Sequence, residues 1–137
     1  RELLSELEKT TKRGVKKRRE LLDKIHEQLM IHTKIEEEIF YPAFRDADGS
    51  EHREMFYEAQ EEHRAVEKLV LPDLEDTDTS ADEFAGRVKV LKELVEHRAE
   101  EEEKEMFPRA RKVFSKEKLA ELGERLEQRK QALQPEA

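Results

Sequence analysis

The sequence contains no cysteine, and it has only four glycines and four prolines among its 137 residues. Without cysteine there can be no disulfide framework, no thiolate zinc site and no thiol nucleophile. Any metal site in this protein must therefore be built from histidine and carboxylate side chains.

Long hydrophobic runs and an excess of positive charge are also missing. No apolar stretch approaches the roughly 18 to 20 residues of a membrane span, and no charged-then-apolar leader opens the chain. The 27 Lys and Arg residues against 35 Asp and Glu residues give a net charge of −8, whereas a general binder of the phosphate backbone needs a net basic face. We therefore expect a soluble, cytoplasmic protein of single-domain length that binds neither nucleic acid nor a membrane.

The residues that are present predict an all-α protein. Apolar side chains recur at intervals of three and four residues, which is typical of amphipathic helices, and strand signals are absent. The predicted helices cover residues 1–10, 15–44, 50–71, 80–113 and 115–133, the third ending before Pro72. The first is too short to pair along the second, reaching about 15 Å against roughly 40 Å. Because the chain also starts with Arg, we expect it to begin partway along its first helix.

Histidines lie on the apolar stripes of three of these helices. His32 and Glu36 share a stripe on the second helix, and four residues advance a helix by only about 40° beyond a full turn, so both can reach one ion. His63 lies among apolar positions of the third helix, and His97 precedes Glu101 on the stripe of the fourth. Three helices are thus predicted to direct a histidine at the core, and two add a carboxylate.

A structural explanation competes with a metal site at each position. A single core histidine is more often structural, and glutamate runs are usually solvated faces. Chance explains two His–Glu pairs and a third inward histidine poorly, and a cation would remove the cost of burying the carboxylates. The pattern therefore favours a metal site, while His26 and His52, which point elsewhere, are interpreted as surface residues.

Three segments carry a family resemblance: His32 to Pro42 (HTKIEEEIFYP), the pair Glu62-His63, and His97 to Pro108 (HRAEEEEKEMFP). With them the sequence resembles the hemerythrin HHE cation-binding family, whose members are four-helix bundles holding a non-haem diiron centre. The resemblance implies an up-and-down four-helix bundle over residues 1–113, with an extra C-terminal helix over residues 114–137.

The resemblance also implies the ligands of two iron ions. His32, His63 and His97 would be terminal nitrogen ligands, and one carboxylate from each paired segment would bridge the irons; those candidates are Glu36 and either Glu101 or Glu102.

The choice between the last two carboxylates depends on the register of the fourth helix. Counted back from the prolines, Glu36 corresponds to Glu102, yet His32 corresponds to Arg98 and not to His97. The fourth helix thus has one extra residue between its histidine and its proline, and a π-bulge could absorb it. The resemblance favours Glu102, since a longer spacing between histidine and carboxylate on this helix also occurs in the family, while a regular helix between the two would favour Glu101.

Two departures from the family pattern concern the ligands. Family members carry another histidine on the first helix, at a position before Arg1. Some members also place a second histidine one turn from the first on the third helix, where this chain has Ala59 and Glu67. Glu67 is either a substitute oxygen ligand or a surface carboxylate.

Imidazole and carboxylate ligands with apolar neighbours suit iron that binds small oxidants. With the diiron centre that the resemblance implies, we expect a protein that binds or senses dioxygen, nitric oxide or peroxide. Two alternatives stay open: an enzyme that turns over peroxide or nitric oxide at the same centre, and a helical interaction module with a degenerate metal site. The sequence carries no indication of oligomeric state.

Overall fold

The computed structural model describes residues 2–46 and 50–134, and these ranges form five continuous helices without a strand. We number them α1 (Glu2–Glu8), α2 (residues 15–45), α3 (residues 50–75), α4 (residues 82–113) and α5 (Lys116–Leu133). The all-α prediction is confirmed. Arg1, Gly49 and residues 135–137 of the predicted pattern lie outside the described residues. Within the described ranges, none of the helices has the length and apolar character needed to cross a lipid bilayer.

Three of the helices contain a five-residue π-helical segment. These segments are Glu36–Phe40 in α2, Val66–Val70 in α3 and Glu102–Met106 in α4. Each begins six residues before a proline, and that proline lies in the first turn of the α-helical segment that follows. The π segment and the proline are therefore spaced identically near the C-terminal ends of α2, α3 and α4.

Proline explains this spacing. Its nitrogen carries no hydrogen, and its ring clashes with the carbonyl four residues earlier in a regular helix. In the π segments the hydrogen bond reaches back five residues instead, from Tyr41 N–H to Glu36 O in α2 and from Phe107 N–H to Glu102 O in α4. The helix can thus continue past the proline. The predicted end of α3 at Leu71 is wrong for this reason.

The described residues divide into two compact units, and the first comprises the residues up to Gln28 together with Glu62–Ala99. Its buried apolar side chains include Leu4, Leu7, Leu22, Ile25, Leu71, Leu74, Phe84, Val88 and Leu91. Buried Arg18 donates to Thr10 Oγ1 at 2.9 Å and to Thr79 O, and its guanidinium lies 4.7 Å from the centre of the Phe84 ring. Arg18 therefore ties α2 to the segments that follow α1 and precede α4.

The second unit comprises Leu29–Glu61 and the described residues from Glu100 onwards. Its buried cluster consists of Phe40, Tyr41, Phe44, Phe56, Ala59, Met106 and Ala110, with Met55, Phe114, Leu119 and Leu126 packed against it. Leu119 and Leu126 of α5 thus cover this cluster. Arg129 Nε adds an ion pair to Glu38 Oε2 at 2.9 Å, and Ser115 Oγ caps α5 by accepting from the Lys118 N–H at 3.1 Å.

Gly86 lies on the exposed face of α4, where a β-carbon added to the glycine would meet nothing within 4 Å. We expect Gly86→Ala to raise the free energy of unfolding by about 0.5–1 kcal/mol, because alanine loses less backbone freedom in a helix than glycine. Denaturant unfolding monitored by circular dichroism measures this change.

Gly14→Ala serves as the control, because Gly14 stands at the start of α2, where its carbonyl accepts the Arg18 N–H. Alanine is a poor residue at this capping position, so no stabilisation is expected there. An unchanged or lower stability of Gly86→Ala would contradict the prediction.

Candidate metal centre

Three side chains that could hold a metal ion come together in the second unit. They are His32 on α2, Glu36 at the start of its π segment and Glu102 at the start of the π segment of α4. One nitrogen or oxygen atom from each lies within 4.8 Å of the other two. The carboxylates are buried, with Glu36 6% and Glu102 5% exposed, whereas the His32 side chain is 63% exposed. The cluster therefore has two buried acids and one imidazole open to solvent.

The two buried carboxylates, Glu36 and Glu102, differ in the hydrogen bonds that they accept. The Tyr41 hydroxyl donates a hydrogen bond to Glu102 Oε1 at 2.7 Å. His32 Nε2 contacts Glu36 Oε1, but neither buried oxygen of Glu36 accepts a hydrogen bond of normal geometry from the described residues. Glu36 thus keeps unused acceptor capacity inside the protein.

Electrostatics keep Glu36 ionised and Tyr41 neutral. Burial by itself raises the pKa of Glu36, but the adjacent His32 imidazole outweighs burial and lowers the pKa to about 2. Contact with the Glu36 carboxylate in turn raises the pKa of His32. Burial, reinforced by the charges of Glu36 and Glu102, raises the pKa of Tyr41 far above its usual range, so its hydroxyl remains a donor.

This donor set fits a divalent cation. Burying carboxylate oxygens without hydrogen-bond donors costs free energy. A bound cation would offset this cost for the two oxygens of Glu36. One imidazole nitrogen with two carboxylates is a mixed nitrogen and oxygen set of the kind that binds iron, manganese or zinc. The three residues would hold such an ion and leave coordination positions for other ligands.

The other two predicted histidine ligands lie in the first unit. His63 is buried on α3, while the His97 side chain on α4 is 51% exposed. His97 Nδ1 lies 3.3 Å from Glu62 Oε1, and Glu62 Oε2 accepts from Arg98 Nη1 at 2.7 Å. Arg98, the next residue along α4, is buried. Of the three imidazoles predicted to face the core, only that of His63 is buried in the described structure.

Glu67, the predicted substitute ligand, lies in the first unit on the π segment of α3, and 38% of its side chain is exposed.

The surface interpretation of His52 is wrong. His52 is 4% exposed, and its ring packs edge-on against Phe44 with 4.8 Å between the centroids. The signal was present in the sequence, since His52 extends the stripe of Phe56, Ala59 and His63 by one turn. His26, in contrast, is exposed as expected, and its Nδ1 lies 3.0 Å from Glu75 Oε1.

Glu101 and Glu102 differ in burial and surroundings. Glu101 ends the regular α-helix Asp82–Glu101 and is half-buried, while Glu102 is buried in the cluster with His32 and Glu36. The helix is therefore regular between His97 and Glu101, and the π segment follows it.

We expect Glu102→Gln to weaken divalent-metal binding by more than about tenfold, because it removes a charged donor from a buried site. Glu101→Gln, which changes the charge equally one residue away, should alter the affinity less than about threefold. Competition titration with a chromophoric chelator gives both affinities. A larger loss for Glu101→Gln would reassign the carboxylate ligand on α4.

Comparison with known proteins places the chain in a family. The profile of the Hemerythrin HHE cation binding domain matches residues 1–110. Over 98 residues the chain is 31% identical to a protein named "DNA nickase" from Nostoc sp. (strain PCC 7120 / SAG 25.82 / UTEX 2576), covering 72% of this chain and 27% of that protein. The chain thus spans about a quarter of the length of this relative. No solved structure matches it significantly. The chain belongs to the hemerythrin HHE family of helical, cation-binding proteins.

Proposed function

We propose that this protein holds a non-haem diiron centre that binds or senses dioxygen or a related small oxidant such as nitric oxide or peroxide. The observation that carries the proposal is the cluster of His32, Glu36 and Glu102, in which two buried carboxylates and an imidazole offer donor atoms within 4.8 Å of one another. Membership of a cation-binding family supports iron as the occupant.

The proposed ligands are three side chains of the cluster and two further histidines. His32, Glu36 and Glu102 would hold iron in the second unit, and the family resemblance adds His63 and His97 as nitrogen ligands. Iron held by nitrogen and carboxylate ligands with open positions supplies the capacity to bind small oxidants.

The surroundings of the cluster favour a small ligand. Tyr41, Phe44 and Met106 are fully buried in the core of the second unit, so bulk water is excluded from that side. His32 is exposed, which gives the site an opening for small solutes. This combination supports a diatomic ligand or peroxide over a bulky organic substrate.

The similarity to the Nostoc protein does not favour a nucleic-acid partner. The match covers 27% of that protein, so the part that gives it its name need not lie in the shared segment. The net charge of −8 also opposes binding to a phosphate backbone.

Anaerobic reconstitution with Fe(II) tests the proposal. We expect two iron ions per chain by elemental analysis, and an ultraviolet–visible spectrum that changes on exposure to dioxygen and reverts when dioxygen is removed. His32→Ala should lower the iron content, whereas His26→Ala, on the exposed face of the same helix, should not.

Other results would support the alternatives. Rapid turnover of peroxide or nitric oxide by the iron-loaded protein would indicate an enzyme. One iron per chain would contradict the diiron assignment. No iron binding would leave a helical interaction module with a degenerate site.

A further inference from the structure

We propose that Tyr41 is a positioning residue, whose hydroxyl holds the Glu102 carboxylate in place to bind the metal ion. This inference rests on the proposed function only in requiring that the cluster of His32, Glu36 and Glu102 binds a metal. It assigns to Tyr41 a role that is separate from the ligands themselves.

The hydrogen bond has the geometry that this role needs. The Tyr41 oxygen lies 2.7 Å from Glu102 Oε1, the usual length of an O–H···O bond, and a carboxylate acceptor makes such a bond stronger than a neutral pair. Both side chains are buried, so water competes little with the bond.

The Tyr41 ring is itself held in place by packing. It meets Phe56 edge-on with 6.4 Å between centroids, and Phe40 with 5.9 Å between centroids. Tyr41 is also fully buried. The hydroxyl therefore donates from a fixed point, provided by α2, to a carboxylate on α4.

The π segment of α2 brings the hydroxyl to the cluster. Tyr41 follows Glu36 by five residues, and in a regular α-helix that spacing would turn the two side chains about 140° apart. The π segment connects them by the hydrogen bond from Tyr41 N–H to Glu36 O, and the Tyr41 hydroxyl reaches the carboxylate that clusters with Glu36. One feature of the backbone thus supplies both a ligand and the donor that orients another ligand.

The chemistry of a carboxylate allows both contacts at once. An ionised carboxylate has two oxygens and about four lone-pair sites. Tyr41 occupies one site on Oε1, which leaves acceptor capacity for a metal ion. Partners that orient ligands in this way typically change metal affinity 10- to 100-fold when removed.

Tyr41→Phe is the direct test, since phenylalanine keeps the ring and removes only the hydroxyl. We expect Co(II) and Fe(II) to bind about 10- to 100-fold more weakly by chelator competition, with a shifted ligand-field spectrum for Co(II). Tyr57→Phe is the matched control, because Tyr57 is the other of the two tyrosines and is exposed; its affinity and spectrum should equal those of the unmodified chain. Circular dichroism and unfolding of the metal-free variants establish that both fold.

A double-mutant cycle separates positioning from packing. In a Glu102→Gln background, Tyr41→Phe should weaken metal binding by less than about threefold, because the carboxylate that it positions is gone. If Tyr41 acted only through packing, Tyr41→Phe would weaken metal binding by the same factor in both backgrounds.

A second measurement does not depend on the Tyr41 variant. The sequence has no tryptophan and two tyrosines, so in Tyr57→Phe protein the near-ultraviolet tyrosine absorption reports Tyr41 alone. We expect Co(II) to shift that absorption without producing the absorption of a deprotonated phenolate, since Tyr41 donates a hydrogen bond and does not bind the metal.

Three results would overturn the inference while leaving the proposed function intact. They are unchanged affinity and spectrum in Tyr41→Phe, an equal loss in both backgrounds of the cycle, and a phenolate signal that marks Tyr41 as a ligand. Failure of the unmodified chain to bind Co(II) or Fe(II) would overturn the proposed function and this inference together.

Discussion

Glu36→Gln is expected to weaken divalent-metal binding by more than about 100-fold, which is the largest effect of any single substitution on the site. Glu36 is proposed as a direct metal ligand, so its loss should exceed the 10- to 100-fold effect typical of residues that only orient ligands. Both of its oxygens are buried, and neither accepts a normal hydrogen bond from the described residues. A neutral amide keeps the shape of the side chain but removes the charge that attracts the ion.

Thermal unfolding with and without metal provides the measurement. A ligand present at 100 times its dissociation constant stabilises a protein by about 2.7 kcal/mol, so metal should raise the melting temperature of the unmodified chain. It should not raise that of Glu36→Gln at the same concentration. Glu27→Gln, an equal charge change at an exposed position of α2, is the control and should retain the shift. A full metal-induced shift in Glu36→Gln would remove Glu36 from the ligands.

Phe44→Ala is expected to lower the free energy of unfolding by about 3–5 kcal/mol, the usual cost of emptying a large core position. Phe44 is fully buried, and its ring stacks on Phe40 with 5.9 Å between centroids and contacts His52 at 4.8 Å. A domain of this size is typically stable by only 5–15 kcal/mol. The substitution would therefore remove a large part of the total stability.

Phe107→Ala is the matched control for this prediction. Phe107 also contacts Phe40, at 5.5 Å between centroids, but it is exposed, so its removal leaves less of a cavity. We expect less than half the loss seen for Phe44→Ala in denaturant unfolding. Equal losses, or a loss below about 1 kcal/mol for Phe44→Ala, would show that the second unit does not depend on this cluster.

Much of the fold could be predicted from the sequence because helix periodicity is a local property. The spacing of apolar residues located all five helices, with ends that differ from the structure by a few residues. The largest difference is at the end of α3, where Pro72 suggested a stop at Leu71 but the helix continues to Glu75. A proline signals a break in a regular helix, and the sequence pattern does not show that a π segment lets the helix pass it.

The candidate site could be predicted only in part. His32 and Glu36 were found because four residues separate them on one helix. The hydrogen bond from Tyr41 to Glu102 was missed, because helical periodicity does not relate residues of two different helices. The burial of His52 was missed although its helical stripe indicated it, and the contact with Phe44 shows it directly.

The sequence by itself determined the all-α class, the restriction of any metal site to histidine and carboxylate ligands, and the His32–Glu36 pair. Tertiary structure decided which of two adjacent glutamates joins that pair, since Glu102 is buried in the cluster and Glu101 is half-buried. Neighbouring residues on a helix point about 100° apart, so a shift of one residue decides which glutamate lies in the cluster. The register of α4 is set by the π segment before Pro108 and by the packing of that segment, and helical periodicity encodes neither.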